Sequence, residues 1–165
     1  MKLLKIIIIL SAIFIYNNIS AAELIDRVVA FVDDDVITLR ELDNQYENLH
    51  SKDNTVTKEM TLNTMVNQLL IEKDAVRRRI TGTTKEDTIN KYINLYVKSQ
   101  IFIKDKDIDY YYNENINNLK GQNIKDIRDK INEILTEKQI NVKLWELINN
   151  LKNKSYVKIQ LDLTN

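Results

Sequence analysis

Two segments, one near each end of the chain, have the hydrophobic patterns of strands, and the C-terminal one alternates apolar with polar residues as a half-buried strand does. Close to the N-terminus, Val28 to Val32 is apolar on both faces, and after the acidic turn 33–35 the pair Val36-Ile37 can fold back as a second strand. Close to the C-terminus, residues 156–163 read YVKIQLDL, and one face carries Val157, Ile159, Leu161 and Leu163. Because neither a lone strand nor a bare hairpin is stable in water, we predict that the C-terminal strand pairs with the N-terminal hairpin.

Between these strands the apolar residues recur at helical spacing. Thr38 and Glu41 form a capping box, in which each side chain bonds a free backbone amide, and this predicts a first helix over residues 39–50. Thr57 can cap a second, longer helix that ends at the arginine cluster 77–79. Cations in the last turn complement the helix dipole, so this cluster indicates a helix end rather than a lipid or phosphate site.

Capping signals predict two further helices in the middle of the chain. Thr83 with Glu86 repeats the capping box and begins a third helix, whose apolar stripe continues to Ile101. Asp105 or Asp107 can cap a short fourth helix. Its apolar and aromatic positions are Ile108, Tyr111, Tyr112 and Leu119, and Gly121 is its expected left-handed stop.

The last helix is predicted to be the longest, from a cap at Asn123 to about Asn153. At 1.5 Å per residue it would extend over roughly 45 Å, enough to return the chain from one end of a domain to the other. Its stripe consists of Ile127, Ile131, Ile134, Val142, Trp145 and Ile148, broadened by Leu135, Leu144, Leu147 and Leu151. The predicted fold is mainly α with a small antiparallel β-sheet, in which an N-terminal hairpin and a C-terminal strand close a helical domain.

The first 22 residues have the features of an export signal. Lys2 and Lys5 precede an apolar run over 6–16, and Ser20-Ala21-Ala22 places small residues before a cut at Glu23. We therefore expect a periplasmic protein whose mature part, 23–165, is one domain with an N-terminal part to 120 and a C-terminal helix and strand over 121–165. The alternative is that the apolar run is retained as a membrane anchor.

Composition excludes several classes of function. The mature chain loses two lysines and no acids, which leaves 22 basic and 24 acidic residues and a formal charge of −2, a balance that argues against nucleic-acid binding. The absence of cysteine excludes disulfides, thiol chemistry and cysteine-zinc sites. The only glycines, Gly82 and Gly121, are too far apart for a phosphate loop, so we expect no nucleotide and no cofactor.

Two other features, an acidic triplet and the single histidine, could indicate a metal site or a catalytic site, but a structural role is favoured for both. The triplet Asp33-Asp34-Asp35 could suggest calcium, but the glycine and distal glutamate of a calcium loop are missing, so a solvated turn is preferred and no metal is expected. His50 stands among polar residues without a nucleophile motif beside it, so we interpret it as a solvated helix-end histidine. No catalytic residue is predicted.

Taken together, several segments resemble the SurA family of periplasmic chaperones, in particular its N-terminal chaperone domain. They are IDRVVAFVDDDVITLRELD over 25–43, MVNQLLIEKD over 65–74, KDKDIDYYYNEN over 104–115 and SYVKIQLDL over 155–163. The resemblance extends over 23–80 and again over 101–163. In this chain Asp35 stands where the family usually has a glycine.

The resemblance implies an ATP-independent holding chaperone that binds unfolded polypeptides, in particular outer-membrane proteins. The family also carries a prolyl isomerase domain inserted before the C-terminal helix, but only about twenty residues separate Ile101 from Gly121 here. We therefore expect chaperone activity without isomerisation. The alternatives are an exported structural or adaptor protein, a degenerate isomerase relative without activity, and a homodimer that exchanges its C-terminal elements.

A chaperone of this kind needs exposed apolar and aromatic side chains that hold extended peptides weakly. Tyrosine suits this role because its ring is rigid and amphipathic, and three adjacent tyrosines on one helix cannot all face one core. For each ring, a place in the core is the alternative to client contact. The candidate peptide-binding residues are Tyr92, Tyr96, Phe102, Tyr110, Tyr111, Tyr112 and Trp145.

Overall fold

The computed structural model describes residues 26–116 and 124–160, and it confirms a mainly helical fold with a small antiparallel sheet. The three strands lie in the order β2-β1-β3. They are β1 (Val28–Val32), β2 (Asp35–Thr38) and β3 (Val157–Ile159). The helices are α1 (Leu39–His50), α2 (Lys58–Arg77), α3 (Lys85–Tyr96), α4 (Asp105–Glu114) and α5 (Ile124–Lys154), with a 3-10 turn at Lys98–Gln100 after α3.

The two ends of the described chain meet in this sheet, as predicted. β3 runs antiparallel to β1 and places Lys158 opposite Phe31. Asp33 adopts a left-handed conformation, with φ of 53°. Its amide donates to the carbonyl of Tyr156 at 2.7 Å, and its carboxylate accepts the Tyr156 amide at 2.8 Å. The acidic turn between β1 and β2 therefore also holds the start of β3.

The inner face of the sheet is buried in β1 and β2 but not along the whole of β3. Ala30, Val32 and Ile37 are buried, and Val157 is half-buried. Ile159, which the alternation placed on the buried face, is 46% exposed. That part of the prediction is wrong because β3 is an edge strand of the sheet as described, so Ile159 has β1 on one flank and no described strand on the other. Leu161 and Leu163 lie outside the described residues.

The helix starts confirm most of the capping predictions. Thr38 and Glu41 form the expected capping box, and the Thr57 hydroxyl accepts the Met60 amide at 3.2 Å. The cap of α3 is shifted by one residue from the predicted Thr83 and Glu86 pair.

At α3, Thr84 is the N-cap and its hydroxyl accepts the Asp87 amide at 3.1 Å. Asp87 in turn accepts the amide of Thr83 at 2.8 Å. Threonine and an acid stand three residues apart in both registers, so the sequence could not choose between them.

The start of α4 also differs from the prediction. Lys104 is its N-cap, and Asp107 accepts the Lys104 amide at 3.4 Å from the first turn. Neither Asp105 nor Asp107 is itself the cap. Leu119, Gly121 and Asn123, which were predicted to end α4 and begin α5, lie outside the described residues.

The buried residues form two separate clusters that α5 connects. The first lies between the sheet, helices α1 to α3 and the C-terminal half of α5. The second lies between α4 and the N-terminal half of α5, where Ile108, Ile127 and Ile131 are buried. With 31 residues, α5 is about 46 Å long and contributes to both clusters. Within the described ranges, no helix combines the length and apolar character needed to cross a membrane.

Candidate functional site

The structure places Tyr92 in the core rather than on a surface. Its side chain has no exposed area, and its hydroxyl donates to the carboxylate of Asp74. The prediction of Tyr92 as a peptide contact is therefore corrected, because a fully enclosed ring cannot touch a bound polypeptide in this fold. Tyr92 stands three residues after Ile89 and four before Tyr96, and this helical spacing was the signal in the sequence that its ring faces the apolar side of α3.

Tyr96 is half-buried and belongs to the same group. Its ring stacks on Tyr92 with centroids 4.7 Å apart, and the Arg78 guanidinium lies 4.7 Å from the Tyr96 centroid. Nε of Arg78 donates to Asp74 at 2.6 Å, and Arg77 lies 3.2 Å from the same carboxylate. These contacts join the end of α2 to α3.

The charge state of this group is well defined. Burial alone would raise the pKa of Asp74, but hydrogen bonds from Tyr92 and Arg78 outweigh it and hold that pKa below its ordinary value. Burial, assisted by the hydrogen bond to Asp74, raises the pKa of Tyr92 to about 12. At neutral pH Asp74 is therefore a carboxylate that accepts hydrogen bonds from the cationic Arg78 and the neutral Tyr92. We interpret this group as one that stabilises the fold.

The three adjacent tyrosines of α4 divide between core and solvent. Tyr111 and Tyr112 are half-buried against the second cluster, whereas Tyr110 is 70% exposed. At 100° per residue, Tyr110 points away from the side that packs on α5. The expectation that at least one of the three faces outward is confirmed.

Phe102 and Trp145 are the other exposed candidate rings, at 76% and 66%. Together with Tyr110 they lie on three elements, namely the segment between α3 and α4, α4 itself and α5. In the described part of the chain the ring pairs in contact are Tyr46 with His50 and Tyr92 with Tyr96. The seven candidate rings therefore do not form one continuous trough.

A more extensive apolar surface follows one side of α5. Ile127 and Ile131 pack against α4, and Val142 and Trp145 lie within roughly 60° of them around the helix axis. The second cluster ends at Leu135, so α4 covers only the first half of this side. Beyond it, Val142 and Trp145 are largely exposed.

We call this surface the exposed α5 face and define it by the exposed residues Ile134, Val142 and Trp145 together with the half-buried Leu135, which lies at its border with the second cluster. Ile134 is 37% exposed and Val142 is 49% exposed. A hollow of about 290 Å³ lies beside them, lined by Leu135, Lys138, Gln139, Val142 and Lys143. The opposite side of the helix packs on the first cluster through Leu144, Leu147 and Leu151.

Sequence reasoning assigned Ile134 and Val142 to a core stripe and so missed this surface. The signal was present, because apolar residues of α5 occupy nearly opposite sides of the helix. A single packing interface cannot bury two opposite sides. The pattern does not indicate which part of each apolar side of α5 packs against another element.

The remaining candidates have ordinary roles. Asp35 forms an ion pair with Lys73, and the Nδ1–H of the half-buried His50 donates to the Val56 carbonyl at 3.0 Å. The arginine cluster marks the end of α2, as predicted. Over residues 26–116 and 124–160 no group of three or more histidine, aspartate or glutamate side chains is placed to hold a metal ion.

Comparison with protein-family models and with curated proteins gives no match for this chain. The interpretation of its function therefore depends on the surfaces described above.

Proposed function

We propose that this protein is an ATP-independent holding chaperone of SurA-like type, which binds unfolded polypeptides in the periplasm, outer-membrane proteins among them. The observation that supports this proposal best is the exposed α5 face. It presents three exposed apolar side chains on one side of one helix, namely Ile134, Val142 and Trp145, of which Trp145 is the most exposed at 66%.

The physical argument rests on the cost of exposed apolar area. Exposed apolar patches are usually retained where they bind something, and isolated exposed apolar residues need no explanation. Here Ile134, Val142 and Trp145 lie on one side of a helix. Val142 and Trp145 are three residues apart and so adjacent, and Leu135 and Val142 border one hollow, so these side chains belong to one surface. A long helix face suits extended segments of varied sequence, because it supplies area without a shaped pocket.

Release of the bound polypeptide then depends on weak affinity. We expect dissociation constants near micromolar, which correspond to about −8 kcal/mol. The hollow beside Val142 has lysine side chains at its rim, Lys138 and Lys143, so its border is polar. Such a border favours transient contact over stable assembly.

The test is a light-scattering assay of the aggregation of an unfolded β-barrel protein, with the mature protein added at an equimolar ratio. We expect suppression by the wild type. The double variant Val142→Ser with Trp145→Ser should require at least about tenfold more protein for the same effect, since two apolar contacts are lost. The matched control is Val76→Ser with Tyr156→Ser, which removes two exposed apolar side chains from other elements. No suppression by the wild type, or equal activity of both double variants, contradicts the proposal.

A further inference from the structure

A second concave surface lies against the first cluster. It is a groove of about 740 Å³ between β2, α1, α2 and the start of α3. Its floor is apolar and consists of Ile37, Met65, Leu69 and Ile89. Ile37 is buried, and the other three are half-buried, so the floor continues the first cluster toward solvent.

The groove follows the outer edge of β2. It is lined by the successive residues Asp35, Val36 and Ile37. Because successive side chains of a strand point to opposite faces, a groove that contacts all three must run along the strand edge. No strand covers this edge in the described part of the chain, since β2 is the outermost strand of the sheet.

The edge offers backbone groups for pairing. The amide of Leu39 donates to the carbonyl of Arg27 at 2.7 Å. Backbone N–H and C=O groups alternate in direction along a strand, so Ile37, two residues before Leu39, also directs its N–H and C=O toward β1. Val36 therefore directs its N–H and C=O toward the groove. An extended chain lying in the groove could pair with them.

Five primary amides surround the same groove. Asn44, Gln45 and Asn48 come from α1, Gln68 from α2 and Asn90 from α3. Each amide side chain can both donate and accept, which matches the alternating groups of a peptide backbone. Among the described residues, Asn48 is the only one of the five whose side chain already forms a hydrogen bond, which its Oδ1 accepts from Lys52 at 2.8 Å.

The rim of the groove is acidic. Asp35 is paired with Lys73, and Glu72 lies 3.7 Å from Lys85. Glu41 and Glu86 form no salt bridge within the ranges that the structure describes. Hydrogen bonds from a backbone amide and from Thr84 lower the pKa of Glu86, so it is charged at neutral pH. The groove thus has excess negative charge above an apolar floor.

We propose that this groove binds an extended, basic segment of an unfolded polypeptide, which pairs with Val36 at the edge of β2 and hydrogen-bonds the surrounding amides. The inference rests on the proposed function for the nature of the ligand. It adds a second contact region, one that prefers extended backbone and positive charge, to the exposed α5 face.

The test is fluorescence anisotropy with two labelled short peptides, one alternating valine with lysine and the other valine with glutamate. The lysine peptide should bind the mature protein at least about tenfold more tightly, and added salt should weaken it. Glu86→Lys should reduce this preference. Equal binding of the two peptides overturns the proposal.

Two variants test the backbone and amide contacts. Val36→Pro removes the outward N–H, and Val36→Thr is its matched control because it retains that N–H. Should the proline variant fail to fold, Gln68→Ala with Asn90→Ala removes two exposed amides from helices that remain intact. We expect about tenfold weaker binding of the lysine peptide by Val36→Pro and by the double alanine variant, and unchanged binding by Val36→Thr. Wild-type binding by both of the first two variants overturns the proposal.

The outcome separates the two proposals. Val142→Ser with Trp145→Ser should bind the lysine peptide as the wild type does, because neither residue lines the groove. If the wild type fails to suppress aggregation but discriminates between the peptides, the groove is established and the chaperone function is not. If it suppresses aggregation without discrimination, only the groove fails.

Discussion

Asp74 is the one charged residue that the structure buries among those it describes, at 8% exposure. A buried carboxylate is costly unless hydrogen bonds and cations compensate for its lost hydration. Here the Tyr92 hydroxyl and Arg78 provide that compensation, and Tyr96 packs beneath the guanidinium. The single residue thereby connects the C-terminal end of α2 to α3.

Asp74→Asn should lower the free energy of unfolding by about 2 kcal/mol at neutral pH, because Tyr92 and Arg78 lose a charged acceptor inside the protein. Urea unfolding followed by circular dichroism measures this change. The control is Glu133→Gln, which neutralises an exposed carboxylate on α5 and should change stability little.

The pH dependence of the free energy of unfolding of the wild type and of Asp74→Asn tests whether the charge of Asp74 is the cause of this difference. Since the pKa of Asp74 is lowered in the folded state, its contribution is present above the unfolded value of about 4 and is lost as the pH falls through the folded value. The stability difference between wild type and Asp74→Asn should therefore shrink below about pH 4. A difference that stays constant into the acid range would contradict the assignment.

Among the helices described, α5 is the one that contributes residues to both clusters. Its C-terminal half packs on a large cluster, whereas its N-terminal half packs, among the described residues, on α4 and on Ile103 just before it, with three buried residues in that contact. Arg128 supports the smaller contact by pairing with Asp105 at 3.0 Å and also with Asp109. Local opening follows the amount of buried apolar contact, so α4 should open more readily than the core.

Ile131→Ala should selectively loosen this second cluster. Loss of a fully buried isoleucine side chain costs about 2 to 5 kcal/mol, and here the cost falls on a cluster with few other contacts. Hydrogen exchange read by mass spectrometry should show faster exchange in α4 and in the first half of α5, with β1 and α2 unchanged. Ile134→Ala is the matched control, because the same change on a 37% exposed side chain of that helix should have a smaller effect. Equal effects of the two variants would show that the second cluster is not packed as described.

For the whole molecule, the decisive feature is that the described ends share one sheet. β3 pairs with β1 of the same chain, and the Gln160 amide donates to the Val29 carbonyl at 2.8 Å. All of the helices that the structure describes lie between these strands in the sequence. Closure of the sheet therefore encloses the first cluster.

This arrangement predicts that stability does not depend on protein concentration. An exchanged dimer, in which β3 pairs with β1 of a second copy, would unfold at higher temperature when more concentrated, by mass action. We expect the same thermal midpoint from roughly 1 to roughly 100 µM mature protein. A midpoint that rises with concentration would show exchange of the C-terminal elements.

The sequence by itself determined the features that depend on short-range chemistry. The capping box at Thr38 and the cap at Thr57 are made of groups three residues apart, so the helix starts could be predicted from local sequence. The alternation around Val157 predicted a strand, and the instability of isolated strands predicted its partner, β1. The fold class and most of the element order followed from these patterns.

Only the tertiary structure decided which side chains are covered. Tyr92 and Tyr110 are the same residue type on similar short helices, yet one is enclosed and the other is 70% exposed. The spacing of apolar residues indicates which face of each helix is apolar, but which other elements lie against that face is decided only by the tertiary structure. For the same reason Ile134 and Val142 of the exposed α5 face could not be told from core residues, although Trp145 was predicted as a peptide contact. The groove beside Val36 could not be predicted either, because it exists only where three helices and a strand edge come together.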